Sequence, residues 1–83
     1  MMIKVQFDFY RYANVEVEAR IDWVANNHGN IKLLYNATIM DIWTTSYIPD
    51  RQIDFEPLKL CEVFSTIEEC LLNAAVELRE RIK

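Results

Sequence analysis

The last quarter of the chain constrains the fold most. From Ser65 to Ile82, the apolar residues Ile67, Cys70, Leu71, Ala74, Ala75, Leu78 and Ile82 recur at steps of three and four. That spacing predicts an α-helix with one wide apolar stripe. Ser65-Thr66-Ile67-Glu68 has the capping-box form: the Ser65 hydroxyl accepts from the Glu68 amide, and the Glu68 carboxylate reaches back to the Ser65 amide. Glu68 and Glu69 suit the positive end of the helix dipole, and Arg79, Arg81 and Lys83 the negative end. Glu77 and Arg81 stand in the favourable order for a pair one turn apart. A lone helix of this length is marginal in water. Its stripe therefore demands a partner surface, against which each larger side chain contributes roughly 1.5–3 kcal/mol when fully buried. Leu72 and Val76 lie off the stripe. The reading favoured here is that they widen the buried face; the alternative is a second apolar strip through which two helices pair.

The upstream half supplies the surface. Ile3, Val5, Phe7 and Phe9 alternate with Lys4, Gln6 and Asp8, the period of a half-buried strand. Tyr10-Arg11-Tyr12-Ala13-Asn14 reads as a connection. Val15, Val17, Ala19, Ile21 and Trp23 then alternate with Glu16, Glu18, Arg20 and Asp22, the cleanest strand signal in the chain. Residues 25–30, with His28 and Gly29, form a turn of the residue types that tolerate a left-handed backbone. Ile31, Leu33, Tyr35, Ala37 and Ile39 are the inward set of a third strand running to about Thr45. Its phase falters at Met40, and a bulge near Ile39-Met40 would return Met40 and Ile42 to the core. Residues 47–52 read as a loop and Ile53-Asp54-Phe55 as a short extended piece. From Pro57 to Phe64 the chain is either a fourth strand, with Leu58, Leu60 and Phe64 inward, or a short helix with Pro57 at its first position; the strand is preferred. The expected fold is thus α+β: residues 1–83 as a single domain, with a three- to four-stranded antiparallel β-meander and a C-terminal α-helix packed on one face (β-β-β-(β)-α).

Composition narrows the function classes. Apolar residues make up 52% of 83, enough for a core without metal or disulfide staples. A net charge of −4 and a pI of about 4.8 make nucleic acid an unlikely partner, because phosphate neutralisation needs the opposite sign. The two cysteines, Cys61 and Cys70, read as small hydrophobes, with a disulfide between them possible but unforced. One histidine and no paired-cysteine spacing imply no metal site. A single glycine excludes glycine-rich phosphate cradles, and no cofactor is expected. No apolar run reaches membrane-spanning length and no signal peptide is visible, so a cytoplasmic chain is expected.

A meander places the first connection and the end of the third strand at one end of the sheet. That end collects Tyr10, Arg11, Tyr12, Trp43, Tyr47 and Arg51, residue types over-represented at binding hot spots; the alternative is that they cap a small core. Glu16, Glu18 and Asp22 share the outer face of the second strand. They form either a solvated surface paired with Lys4 and Lys32 or an acidic patch for a basic partner. A flat face gives carboxylates no cleft for acid–base work, and Ser65 reads as a cap and not a nucleophile. No catalytic residues are assigned. The function expected is that of a small, non-enzymatic module binding another protein. In size, acidity and lack of motifs the chain looks like the accessory proteins of bacteriophages and mobile elements, some of which inhibit host complexes. This likeness is one of general style and rests on no motif. The alternative is a homo-oligomeric structural protein, a homodimer in the simplest case, assembled through a strand edge or the helix.

Overall fold

The computed structural model describes residues 1–8, 11–22, 31–44 and 51–81. Tyr10, Trp23, the turn at 25–30 with His28, Tyr47, Ile48 and Ile82 lie outside the described residues. The architecture is the expected α+β one: an antiparallel sheet followed by a C-terminal helix packed on it. Strands β1 (Met2–Asp8), β2 (Arg11–Ile21) and β3 (Leu33–Thr44) form the meander. The first connection is shorter than the sequence suggested. Asp8 already pairs with Arg11, so Arg11 to Asn14 belong to β2 and not to a connection.

The fourth strand arrives in pieces along the free side of β3. β4 (Arg51–Ile53) pairs with Thr44, Trp43 and Ile42, so Arg51 and Gln52 are not in a loop as expected. β5 (Leu58–Lys59) pairs with Ile39 and Thr38. The Leu60 amide then donates to the Ala37 carbonyl, and Tyr35 and Phe64 exchange two backbone hydrogen bonds, each of these three bonds at 2.8 Å. Residues 51–64 thus run antiparallel to β3 as one interrupted strand, and no part of 57–64 is helical.

Both interruptions have local causes. Asn14 pairs with Asp41 while Val15 pairs with Ile39, which leaves Met40 as an extra residue in β3. The break between β4 and β5 lies opposite this bulge and contains Pro57, which has no amide to give a ladder. Further on, residues 61–63 loop out. Asn36 spans that gap, its Nδ2 donating to the carbonyls of Leu60 and Glu62 at 2.9 Å each. The expected bulge is therefore present, with one correction. It returns Ile42 to full burial but leaves Met40 at the surface, because the inserted residue is the one that cannot pair.

α1 (Ile67–Arg81) begins one residue later than the Ser65 capping box implies. Thr66 is the cap: its Oγ1 accepts from the Glu69 amide at 3.2 Å, and its carbonyl takes the first helical bond, from Cys70. Thr66-Ile67-Glu68-Glu69 has the same capping-box form as Ser65-Thr66-Ile67-Glu68, so the pattern alone does not choose between them. Cys70, Ala74 and Leu78 bury completely. They join Ala13, Val15 and Val17 of β2, Ala37, Ile39 and Ile42 of β3, and Leu60 in one core. Ile67 and Leu71 flank it, half-buried. Small residues on both layers leave room for Ile39, Ile42 and Leu78 in a close-packed interior. Arg81 and Glu77 approach to 3.9 Å in solvent, a pair that contributes little.

Two expectations fail on the inner side. Leu72 and Val76 do not widen the buried face; both are exposed. Ile21, Ile31 and Leu33 were expected inward, yet they are exposed too. The reason is the position of the helix. It starts just after Phe64, which pairs with Tyr35, so the part of β2 and β3 beyond Tyr35 projects past the helix N-terminus.

The packing predicts a contrast in urea unfolding. Leu78→Ala is expected to destabilise by about 2–5 kcal/mol, and Leu72→Ala by no more than about 0.5 kcal/mol. Thr66→Ala is expected to lower stability by about 1 kcal/mol, with Ser65→Ala a few tenths at most; the reverse order would put the cap at Ser65. Burial, and secondarily the Glu69 carboxylate, push the Cys70 thiol pKa up. The native state therefore holds its proton where the unfolded chain releases it. Stability is expected to be unaffected by this group below the ordinary thiol value of about 8.5 and to fall as the pH rises above it, an effect Cys70→Ala removes. Urea titrations across that range check it.

Candidate functional site

The outer face of the sheet, away from α1, gathers the polar and aromatic residues. Ala13, Val15 and Val17 point into the core, so Tyr12, Asn14, Glu16 and Glu18 point the other way. The Met40 bulge sets the same rule for β3: with Ile42 buried, Asp41 and Trp43 face outward. Tyr12 and Trp43 are register partners on adjacent strands. Their rings lie nearly parallel, 6° between planes, with centroids 6.2 Å apart, an offset stack. Lys4, on the neighbouring β1, places its Nζ 4.0 Å from the centre of the Tyr12 ring. One carboxylate holds the arrangement. Asp41 Oδ1 accepts from Trp43 Nε1 at 2.8 Å and from Asn14 Nδ2 at 2.7 Å. The indole is thus fixed in the plane that stacks on Tyr12.

Along β2 the face turns acidic. The Met1 ammonium bonds Glu16 Oε1 at 2.9 Å, at a partly exposed position. Glu18 is exposed one step further. From Tyr12 to Glu18 the outer row covers about 20 Å of strand.

Of the residues proposed from the sequence, Tyr12, Trp43, Glu16 and Glu18 come together on this one face. The aromatic end and the acidic row are therefore one surface. Arg11 and Arg51 reach the same end of the sheet, both pairing with Thr44, but alternation puts Arg11 on the helix side of β2. Asp22 follows β2, its amide donating to the Lys32 carbonyl. Lys4 was expected to pair with the β2 acids; it rests on Tyr12 instead. Tyr10 and Tyr47 are outside the described residues. Asn14 and Asp41 were not singled out. Their signal was available: a bulge at Met40 brings Asp41 into phase with Trp43 and opposite Asn14.

Other chemistry has less to work with. Cys61 is exposed and Cys70 buried, and both are free thiols. Two depressions flank the extended segment at 58–61, with volumes of about 170 and 180 Å³. Small-molecule sites usually enclose roughly 300–1,000 Å³. Among the described residues no three His, Cys, Asp or Glu side chains gather to hold a metal ion, and no helix is long and apolar enough to cross a membrane. Compared with protein-family models, with curated proteins and with solved structures, the chain matches none.

Proposed function

We propose that the chain is a non-catalytic module that binds another protein through the outer face of its sheet. The observation that carries this reading is the Tyr12–Trp43 stack, held by Asp41 on a surface that continues into Glu16 and Glu18. A core has no use for an indole oriented on the side of the sheet away from it. An interface does, because rigid aromatic area adds contact with little ordering entropy. The chemistry of the face specifies a partner that presents arginine. A guanidinium stacks on an indole and donates hydrogen bonds in its own plane to carboxylates, and Glu16 and Glu18 lie on the same row as Tyr12. The setting this suits is an accessory protein of a phage or mobile element that occupies a basic surface of a host complex.

The test compares capture by variants of the two sides of the molecule. Wild type is expected to retain a partner from bacterial extract that Trp43→Ala loses and that Glu18→Lys weakens by about tenfold or more. Leu72→Ala, on the opposite side, is expected to retain it. Binding is expected to weaken with added salt, since the charged row is exposed. A partner that survives both outer-face changes would overturn the assignment of this face.

A further inference from the structure

The side of the molecule that carries α1 has the shape of a step. The tread is the inner face of the β2–β3 ribbon beyond Tyr35, where Ile21 pairs with Leu33. The riser is α1, which begins close to Phe64, the partner of Tyr35, and stands above the sheet by about one helix diameter, some 10 Å. Both levels are apolar and exposed. On the tread, Ile21 is 41%, Leu33 38% and Ile31 73% accessible; on top of the riser, Leu72 is 67% and Val76 52% accessible. The long dimension of the molecule, 53 Å against 20 and 19 Å, fits a ribbon that runs on past its covering helix.

We infer that two copies of this chain close this step against each other, each ribbon lying on the outer strip of the other copy's α1. A step is complementary to itself. A two-fold axis parallel to the sheet, crossing the strands at the base of the ribbon and level with the helix, carries the second α1 into the space over the first ribbon. The same rotation lays the second ribbon over Leu72 and Val76 of the first α1. Each helix then lies between its own sheet and the partner's ribbon. From Leu33 to Ile31 the ribbon's apolar residues span about 7 Å of strand, and Leu72 to Val76 about 6 Å of helix, so the two patches match in length.

Covering the five residues completely in both copies would remove at most roughly 900 Å², close to the about 1,000 Å² a specific interface needs, and the surrounding polar rim supplies the remainder. Neither patch reaches that size alone: two helices joined only through Leu72 and Val76 would bury less than half as much. The surface lies on the opposite side of the sheet from the Tyr12–Trp43 face, so this inference stands or falls independently of the proposed partner.

Sedimentation velocity over a concentration series tests it, with circular dichroism confirming the fold of each variant. Wild type is expected to dimerise in the micromolar range. Ile31→Lys and Leu72→Glu are each expected to raise the dissociation constant by more than about tenfold, because each charges one half of both reciprocal contacts. Mixing the two variants is expected to restore dimers. In the mixed dimer one contact is wild type on both sides and the other sets lysine against glutamate. A wild type that stays monomeric at high micromolar concentration would overturn the proposal. So would dimers unaffected by Ile31→Lys, which would mean pairing through the helices alone or through the β1 edge, or a mixture that fails to recover.

Discussion

The fold depends on the burial of one helical stripe against one sheet face. Cys70, Ala74 and Leu78 are fully buried, and so are Ala13, Val15, Ala37, Ile39 and Ile42 beneath them. Neither layer is stable alone: a helix of 15 residues is marginal in water, and a ribbon of strands with one apolar face needs cover. The core is small, so these few contacts supply most of what opposes chain entropy within it. No described buried residue is polar or charged, which spares the core the penalty of desolvating groups it cannot pair.

Cys70 apart, the described residues with chemical character are displaced by that constraint to the two remaining sides. On the outer face the sheet presents polar side chains and an aromatic stack whose orientation is fixed by a single carboxylate. Fixing it on strands and not on loops gives a rigid contact surface. On the helix side, the core ends where α1 begins, and the ribbon continues past it. The first displacement makes a polar and aromatic face; the second makes an apolar step. The sheet and helix thus offer two surfaces of opposite character, back to back.

The irregularities in the sheet are what align the outer face. Without the Met40 bulge, alternation from Ile39 would turn Asp41 inward and Ile42 outward. A single inserted residue keeps Ile42 in the core and at once brings Asp41 under Trp43 and beside Asn14. The same bulge lies opposite the break in the fourth strand around Pro57, so the ladder is lost on one edge where the face is gained on the other. Asn36 makes the second break tolerable by bonding two carbonyls that the excursion at 61–63 would leave unpaired.

The sequence by itself determined the three long strands, the C-terminal helix, and the core-facing phase of Val15, Val17, Ala37, Ile39, Ala74 and Leu78, but not that residues 11–14 and 51–52 are strand or that Met40 faces out. Periods of two and of about 3.6 residues are local, and burial enforces them wherever Val15, Val17, Ala74 and Leu78 fall. It also placed Arg11, Tyr12, Trp43 and Arg51 at one end, since a meander with short links allows little else. Only the tertiary structure decided the rest. Two overlapping capping boxes differ by which hydroxyl meets an amide, and the structure selects Thr66. The exposure of Ile21 and Leu33 depends on where the helix lands along the sheet, a distance no periodicity encodes, whereas Leu72 and Val76 are exposed because they lie on the helix face opposite Cys70, Ala74 and Leu78. The union of the aromatic end with the acidic row depends on the register across the bulge. Local pattern fixes which way a side chain points; what it meets there is set by contacts between residues far apart in the chain.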